Sequence, residues 1–242
     1  STDATLRGLQ ETLNRPSSRS MRTDAVAEMK WRSLVKTGTL FNIMSIIRGY
    51  APNDDETVLV GAHRDHFGQQ ADLLFAGADD NASGTAVLLE VARVFALAPA
   101  APKRSVLFLS FSGEEQGLLG SRLYVEQPIV PLSSTIGMIN VDHAGTGNGR
   151  LTVGVTGFEK TMAQRAGETA GLSDKLDVFG YFPGGDHVPF KEAGVPTVAV
   201  VSGGVHPHFH QPSDTVETVN PEILRSVARY VLTLTWQLAN EP

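Results

Sequence analysis

Ser110-Phe111-Ser112-Gly113-Glu114-Glu115-Gln116-Gly117 closes an apolar run, 106–111, with two adjacent carboxylates. A run of this kind reads as a buried strand that carries charge to its own end. Neighbouring side chains on a strand face opposite ways, so Glu114 and Glu115 can share a site only if the strand has ended before them. Gly113 and Gly117 supply the backbone freedom for that turn. A buried carboxylate pair repels itself, and one member takes up a proton unless a cation lies nearby. The pair therefore asks for a metal, and its other ligands have to come from elsewhere in the chain.

Other apolar runs end the same way. Residues 58–62 lead into His63 and 136–141 into Asp142. In open α/β sheets the carboxyl ends of the strands form the ligand crevice, so these residues are expected to converge there. Asp79-Asp80-Asn81-Ala82-Ser83-Gly84 runs into a helix, and His206-Pro207-His208-Phe209-His210-Gln211-Pro212 follows a strand that ends near Val201. Each of these residues also has a structural reading. His63 could be a satisfied histidine, Asp80 an N-cap, Glu114 and Glu115 a solvated helix start, and Asp142 a turn former. The alternating His206, His208 and His210 could form a separate three-histidine site, which Pro207 disfavours on a regular strand.

The totals narrow the chemistry. The chain has 242 residues, 41% of them hydrophobic, enough for a sizeable core. Its formal charge of −6 is spread without long runs, which argues against a nucleic-acid surface or a basic membrane patch. Cysteine is absent, so a metal must be held by His, Asp and Glu. Such ligands suit zinc, or manganese and cobalt in its place. No apolar stretch approaches the ~20 residues of a membrane span, and no signal peptide opens the chain. The compartment stays open.

In chain order, the loosely periodic segment 1–36 is expected to be a helical lead-in. Strands are predicted at 39–50 and 57–62, joined by a turn at 52–55, as an antiparallel pair at a sheet edge. After a loop of about fifteen residues, Val87, Leu88, Val91, Val94 and Phe95 share a helical face. Strand 105–111, a helix after the acidic turn, and strands 135–141 and 151–155 follow. Helix 158–170 stops at Gly171, with strand 176–179 behind it. Asp186 is placed to cap a brief helix at 188–193, ahead of strand 196–201. Asn220 and Pro221 open a last helix with an apolar stripe. The pattern predicts one domain, 1–242, built as a three-layer α/β/α sandwich on a mixed, mostly parallel sheet.

Six motifs in order resemble the M28 family of di-zinc aminopeptidases. They are Gly61-Ala62-His63-x-Asp65-His66, Gly77-Ala78-Asp79-Asp80-Asn81-x-Ser83-Gly84, Gly113-Glu114-Glu115-x-Gly117, Ile139-Asn140-x-Asp142, Asp186-His187-x-Pro189-Phe190 and His210-x-Pro212-Ser213-Asp214-Thr215. The resemblance implies a zinc-exopeptidase fold and two Zn²⁺ per chain. One zinc would be held by His63 and Asp142 and the other by Glu115 and His210, with Asp80 bridging. Glu114 would be the general base, and Asp65 would hold the imidazole of His63. It implies removal of N-terminal residues from peptides with a free N-terminus, and export to a secreted or periplasmic location. A one-zinc glutaminyl-cyclase-like transferase and a non-catalytic binding domain are the alternatives on this scaffold.

The chain also departs from the family pattern. Phe209 lacks the hydroxyl that many relatives place before the last histidine to stabilise the oxyanion, and Tyr181 is the candidate to supply it instead. Arg64 stands where Tyr is common, His143 where an apolar residue is usual, and Gly185 where Ser is common. His206 and His208 are expected to line the cleft, and Asp186 and His187 to stand behind the ligands.

Overall fold

A computed structural model of the chain describes residues 28, 30, 37–51, 55–70 and 72–241. The chain divides into Ser1–Gly38 and Thr39–Pro242, and every strand and helix described belongs to the second unit. The expected lead-in helix at 1–36 lies outside the described residues apart from positions 28 and 30, and most of the expected turn at 52–55 lies outside them too.

Nine strands are described: β1 (Ile43–Ile47), β2 (Thr57–His63), β3 (Gly68–Gln70), β4 (Leu73–Phe75), β5 (Ser105–Phe111), β6 (Thr135–Val141), β7 (Leu151–Thr156), β8 (Leu176–Phe179) and β9 (Thr197–Ser202). Five α-helices accompany them: α1 (Gly84–Leu97), α2 (Leu119–Glu126), α3 (Lys160–Thr169), α4 (His187–Glu192) and α5 (Pro221–Asn240). Seven strands form one sheet in the order β1-β5-β2-β6-β9-β7-β8. Strands β5, β2, β6 and β9 run parallel, as do β7 and β8, while β1 and β7 meet their inner neighbours antiparallel. The sheet is therefore mixed and mostly parallel, as its apolar central strands require.

All seven residues of β2 are buried, because the strand is covered on both faces. The period of two decides which face each residue serves. Val58, Val60 and Ala62 join Val106, Phe108, Ile139 and Val141 in the core under α1, α3 and α5. Leu59 joins Leu107, Leu109, Phe111 and Met138 on the other face, where Tyr124 of α2 and Phe190 of α4 close the layer. Each fully buried side chain of this kind contributes roughly 1.5–3 kcal/mol from removal of apolar surface from water.

Two expectations are corrected. Segments 39–50 and 57–62 do not pair with each other: β1 pairs with β5, which lies between β1 and β2. The burial pattern explains this, since a strand buried along its whole length needs neighbours on both edges, whereas Ile43 and Met44 are exposed on the edge strand. The fifteen-residue loop also contains structure, a short antiparallel β3-β4 pair that forms its own two-stranded sheet. At the chain's end, Asn220 caps α5 by accepting from Glu222 N at 2.9 Å, with Pro221 in the first turn.

Candidate metal centre

The site is built at the carboxyl ends of β2, β5, β6 and β9. His63 is the last residue of β2, and Asp142 directly follows β6. After β5 the chain turns at Gly113 (φ 76°) into a single turn, Glu114–Gln116, which ends at Gly117 (φ 97°). Asp65 Oδ2 accepts from Gly113 N at 2.5 Å and pins this turn to the segment after β2.

Asp80 sits on a loop tied from several sides. The carboxylate of Asp214 accepts from Asp79 N at 2.8 Å and from Asp80 N at 3.0 Å. Asn81 Nδ2 donates to Val141 O, and Asn81 Oδ1 accepts from Gly84 N at the start of α1. Asn81 therefore serves the helix end, which frees the Asp80 carboxylate from a capping role. His210 is held at φ 54° on the loop after β9. A bulky residue in this left-handed region stores on the order of 1–3 kcal/mol of strain that its surroundings must hold.

These tethers bring four side chains, His63, Asp142, Glu115 and His210, together around Asp80. His63 Nε2 lies 3.4 Å from Asp80 Oδ1 and 3.5 Å from Asp142 Oδ1. On the other side, His210 Nε2 lies 3.1 Å from Asp80 Oδ2 and 3.3 Å from Glu115 Oε2. The two oxygens of one carboxylate thus face two different His–carboxylate pairs. Asp80 Oδ2 is buried and accepts no hydrogen bond, although imidazole nitrogens of His210, His143 and His66 stand 3.1, 3.7 and 3.9 Å away. A buried oxygen in that setting calls for a cation. Burial opposes a charge on His63, yet the carboxylates of Asp142 and Asp80 push its pKa up to about 12. The pocket demands positive charge, and the nitrogen and oxygen donors fit zinc. His63, Asp80 and Asp142 form one candidate ligand group, and His66, Asp80 and Glu115 another.

Glu114, Glu115, Asp80, Asp142 and His210 line a cavity of about 670 Å³. Burial pushes the Glu114 pKa up to about 8, with Asp142, Asp186 and Glu115 adding to it against His63. The cavity wall also carries Phe182, Ala199, Val201 and Phe209.

Several expected roles change. The imidazole of His63 is held by the backbone carbonyl of Asp65, 3.0 Å from Nδ1, and not by the Asp65 carboxylate. The reason is that β2 ends at His63, so Asp65 lies beyond the strand and its side chain turns towards Gly113. Asp186 stands at the start of α4 without capping it. It is fully buried, accepts from Ser121 Oγ at 2.6 Å, and is raised by burial to about 7. Tyr181 is half exposed, lies under Lys191 Nζ at 4.2 Å, and is not among the residues lining the cavity.

The three alternating histidines separate. His206 meets Asp79 at 2.8 Å, His208 meets Ser213 Oγ at 2.9 Å away from the cavity, and His210 faces Asp80 and Glu115. Arg64 is spent on the Phe41, Ser110 and Phe111 carbonyls. His187 lines the cavity with Nε2 2.8 Å from Phe182 O.

Sequence reasoning placed His66 in a motif but gave it no role; its Nδ1 lies 2.6 Å from Glu115 Oε1. Its place three residues after His63 was the available signal. Asp214, which orients the Asp79-Asp80 backbone, was visible only as part of a motif.

A family model, peptidase family M28, matches residues 42–235. The chain belongs to peptidase family M28. Among relatives in the family, it is similar to the aminopeptidase YwaD of Bacillus subtilis (strain 168), 33% identical over 166 residues that cover 64% of this chain and 36% of the relative. It is also similar to a probable leucine aminopeptidase of Trichophyton verrucosum (strain HKI 0517), 31% identical, covering 80% of this chain and 57% of that one. The fold matches the structure of a zinc aminopeptidase from Bacillus subtilis with a TM-score of 0.72 at 30% identity, over 83% of this chain and 50% of the other. The chain thus spans about a third to just over half the length of these M28 relatives.

Proposed function

We propose that this M28 chain is a zinc-dependent aminopeptidase that removes N-terminal residues from peptides with two metal ions. The observation that carries the reading is Asp80, whose two oxygens face the His63–Asp142 pair and the Glu115–His210 pair. One ion would be held by His63 and Asp142, the other by Glu115 and His210, and Asp80 would serve both. Bound there, zinc would supply Lewis acidity to the scissile carbonyl and lower the pKa of a water towards about 7.

The chain's own groups do the rest. Glu114, on the cavity wall and with a pKa raised towards neutrality, takes a proton from the attacking water and delivers it to the departing amine. Among the described residues the wall contains four carboxylates, Asp80, Glu114, Glu115 and Asp142, and no lysine or arginine. That balance favours a substrate's free α-ammonium over a C-terminal carboxylate, which would want a cationic side chain. Phe182, Phe209, Ala199 and Val201 offer an apolar wall to the N-terminal side chain. The names of the relatives, aminopeptidases in bacteria and fungi, support the same reading.

The test is a panel of aminoacyl-nitroanilides assayed with zinc and after chelation, together with metal analysis. The reading expects about two zinc per chain, cleavage of substrates with a free amine only, and loss of cleavage on chelation. One zinc per chain with cyclisation of N-terminal glutamine would instead select the transferase reading, and no cleavage of any substrate would select a binding role.

A further inference from the structure

The side chains around Asp79 are not used by the proposed reaction, and they form a third cluster beside the pair. Asp79 Oδ2 lies 2.8 Å from His206 Nδ1 and 3.6 Å from His143 Nδ1. The other Asp79 oxygen is already satisfied by Gly145 N at 2.7 Å, so Oδ2 is the one left for a partner in this pocket. All three donor atoms lie within 4.8 Å of one another.

His206 Nε2 is 2.9 Å from the carbonyl of Ser202, an acceptor only, so Nε2 carries a proton. Nδ1 meets Asp79 Oδ2 at 2.8 Å, an ion-paired hydrogen bond when the ring holds both protons and a pair of donors for a cation when Nδ1 is bare. His143 brings a second ring nitrogen to the cluster. Its Nδ1 is buried with no hydrogen-bond partner, and 3.6 Å to Asp79 is too long for a hydrogen bond. It is close to the spacing of about 3.3 Å that two ligands keep around one tetrahedral ion with bonds of ~2.0 Å. The Nε2 of His143 faces Asp80 Oδ2 at 3.7 Å and Asp142 Oδ1 at 3.9 Å. Metal-ligating histidines keep one ring nitrogen on the metal and turn the other N–H to an acceptor, as His206 Nε2 is turned to Ser202 O. Position 143 is held at φ 45°, so the backbone is bent to present this ring.

We propose that Asp79, His143 and His206 form a third, separate metal site for a divalent transition ion of the zinc type. Two imidazoles and one carboxylate without sulfur select this class over calcium or magnesium, and leave a coordination position for water. Asp79 and Asp80 are consecutive, so one loop, fixed by Asp214, feeds this site and the pair. His143 and His206 line the same cavity as the pair, so an ion held between them reaches the site through that opening.

The experiment is equilibrium dialysis of the zinc-loaded chain against rising free zinc, with bound metal counted in wild type, His206→Ala and His143→Asn. Asparagine tolerates the positive φ at 143, so at least one of the two variants keeps its backbone unstrained. Wild type is expected to bind one equivalent more than each variant that retains a cooperative melting transition. The third site rests on the pair only as the baseline it is counted above. A difference of one equivalent supports it whether the pair holds one ion or two. Equal binding by wild type and variants, or a wild type that saturates at the baseline up to millimolar free zinc, overturns it.

Discussion

Replacing Glu114 by glutamine is the most direct perturbation of the proposed chemistry. Glutamine preserves the shape of the side chain and the start of the turn but cannot accept a proton. Of the four carboxylates lining the cavity, Asp80, Glu115 and Asp142 each face imidazole nitrogens within 3.5 Å, whereas Glu114 forms no ion pair among the described residues. Its environment also sets it apart, because in the metal-free chain burial and neighbouring carboxylates push it up to about 8. No other group is placed to stand in, so the loss should fall in the upper part of the ~10²–10⁴ range typical of general acid–base catalysis. At 1.36 kcal/mol per decade, that corresponds to about 4–5 kcal/mol of barrier. The assay is kcat and KM on an aminoacyl-nitroanilide with metal content measured on the same sample. The expectation is a collapse of kcat, a KM within a few-fold, and zinc retained. The acidic limb of the kcat profile should also vanish, because only the carboxylate form of Glu114 is competent. A variant that keeps its zinc and turns over within about tenfold of wild type would refute the assignment.

Asp186→Asn should stabilise the chelated protein as pH rises. A carboxyl raised from 3.8 to about 7 in the folded state contributes its full stability below pH ~4 and loses it as pH climbs through 7, by at most about 4 kcal/mol, and asparagine can keep the Ser121 bond. Urea unfolding at pH 4 and pH 8 would show it, and an equal effect at both values would count against it. Tyr181→Phe should leave kcat unchanged, since the ring lies outside the cavity, whereas loss of an oxyanion donor costs ~10²–10³ in kcat. Asn220→Ala should lower stability by about 1 kcal/mol through the lost cap, read as a lower urea midpoint at unchanged slope. Leu109→Ala, in the core beneath α2 and α4, should cost about 2–5 kcal/mol by the same measurement.

The layers were legible because apolar runs that are buried on both faces leave little choice. The residues of β2, β5 and β6 announce central strands, and their ends announce a crevice. The position of β1 was not legible, since its Ile and Met content suits any strand and only the sheet order reveals β5 as its partner. At the site, residue types and spacing pointed to His63, Asp80, Glu115, Asp142 and His210, which the fold brings around one carboxylate. Atom-level partners were out of reach. Whether Asp65 offers His63 its side chain or its carbonyl depends on where β2 stops, within one residue. The environment of Asp186 depends on Ser121, 65 positions away, and a capping motif could not reveal that the side chain is buried. His66 and Asp79 stand inside recognisable motifs, but their contacts come from loops that meet only in three dimensions.

The carboxylate of Asp214 grips the amides of Asp79 and Asp80 from 135 and 134 positions downstream. While the chain is being synthesised, the early strands can emerge and begin to pair long before that grip exists, and His210 arrives only shortly ahead of it. On the proposed reading, the ion held by Glu115 and His210 can therefore be captured only late in synthesis, because a chain shorter than 210 residues lacks His210.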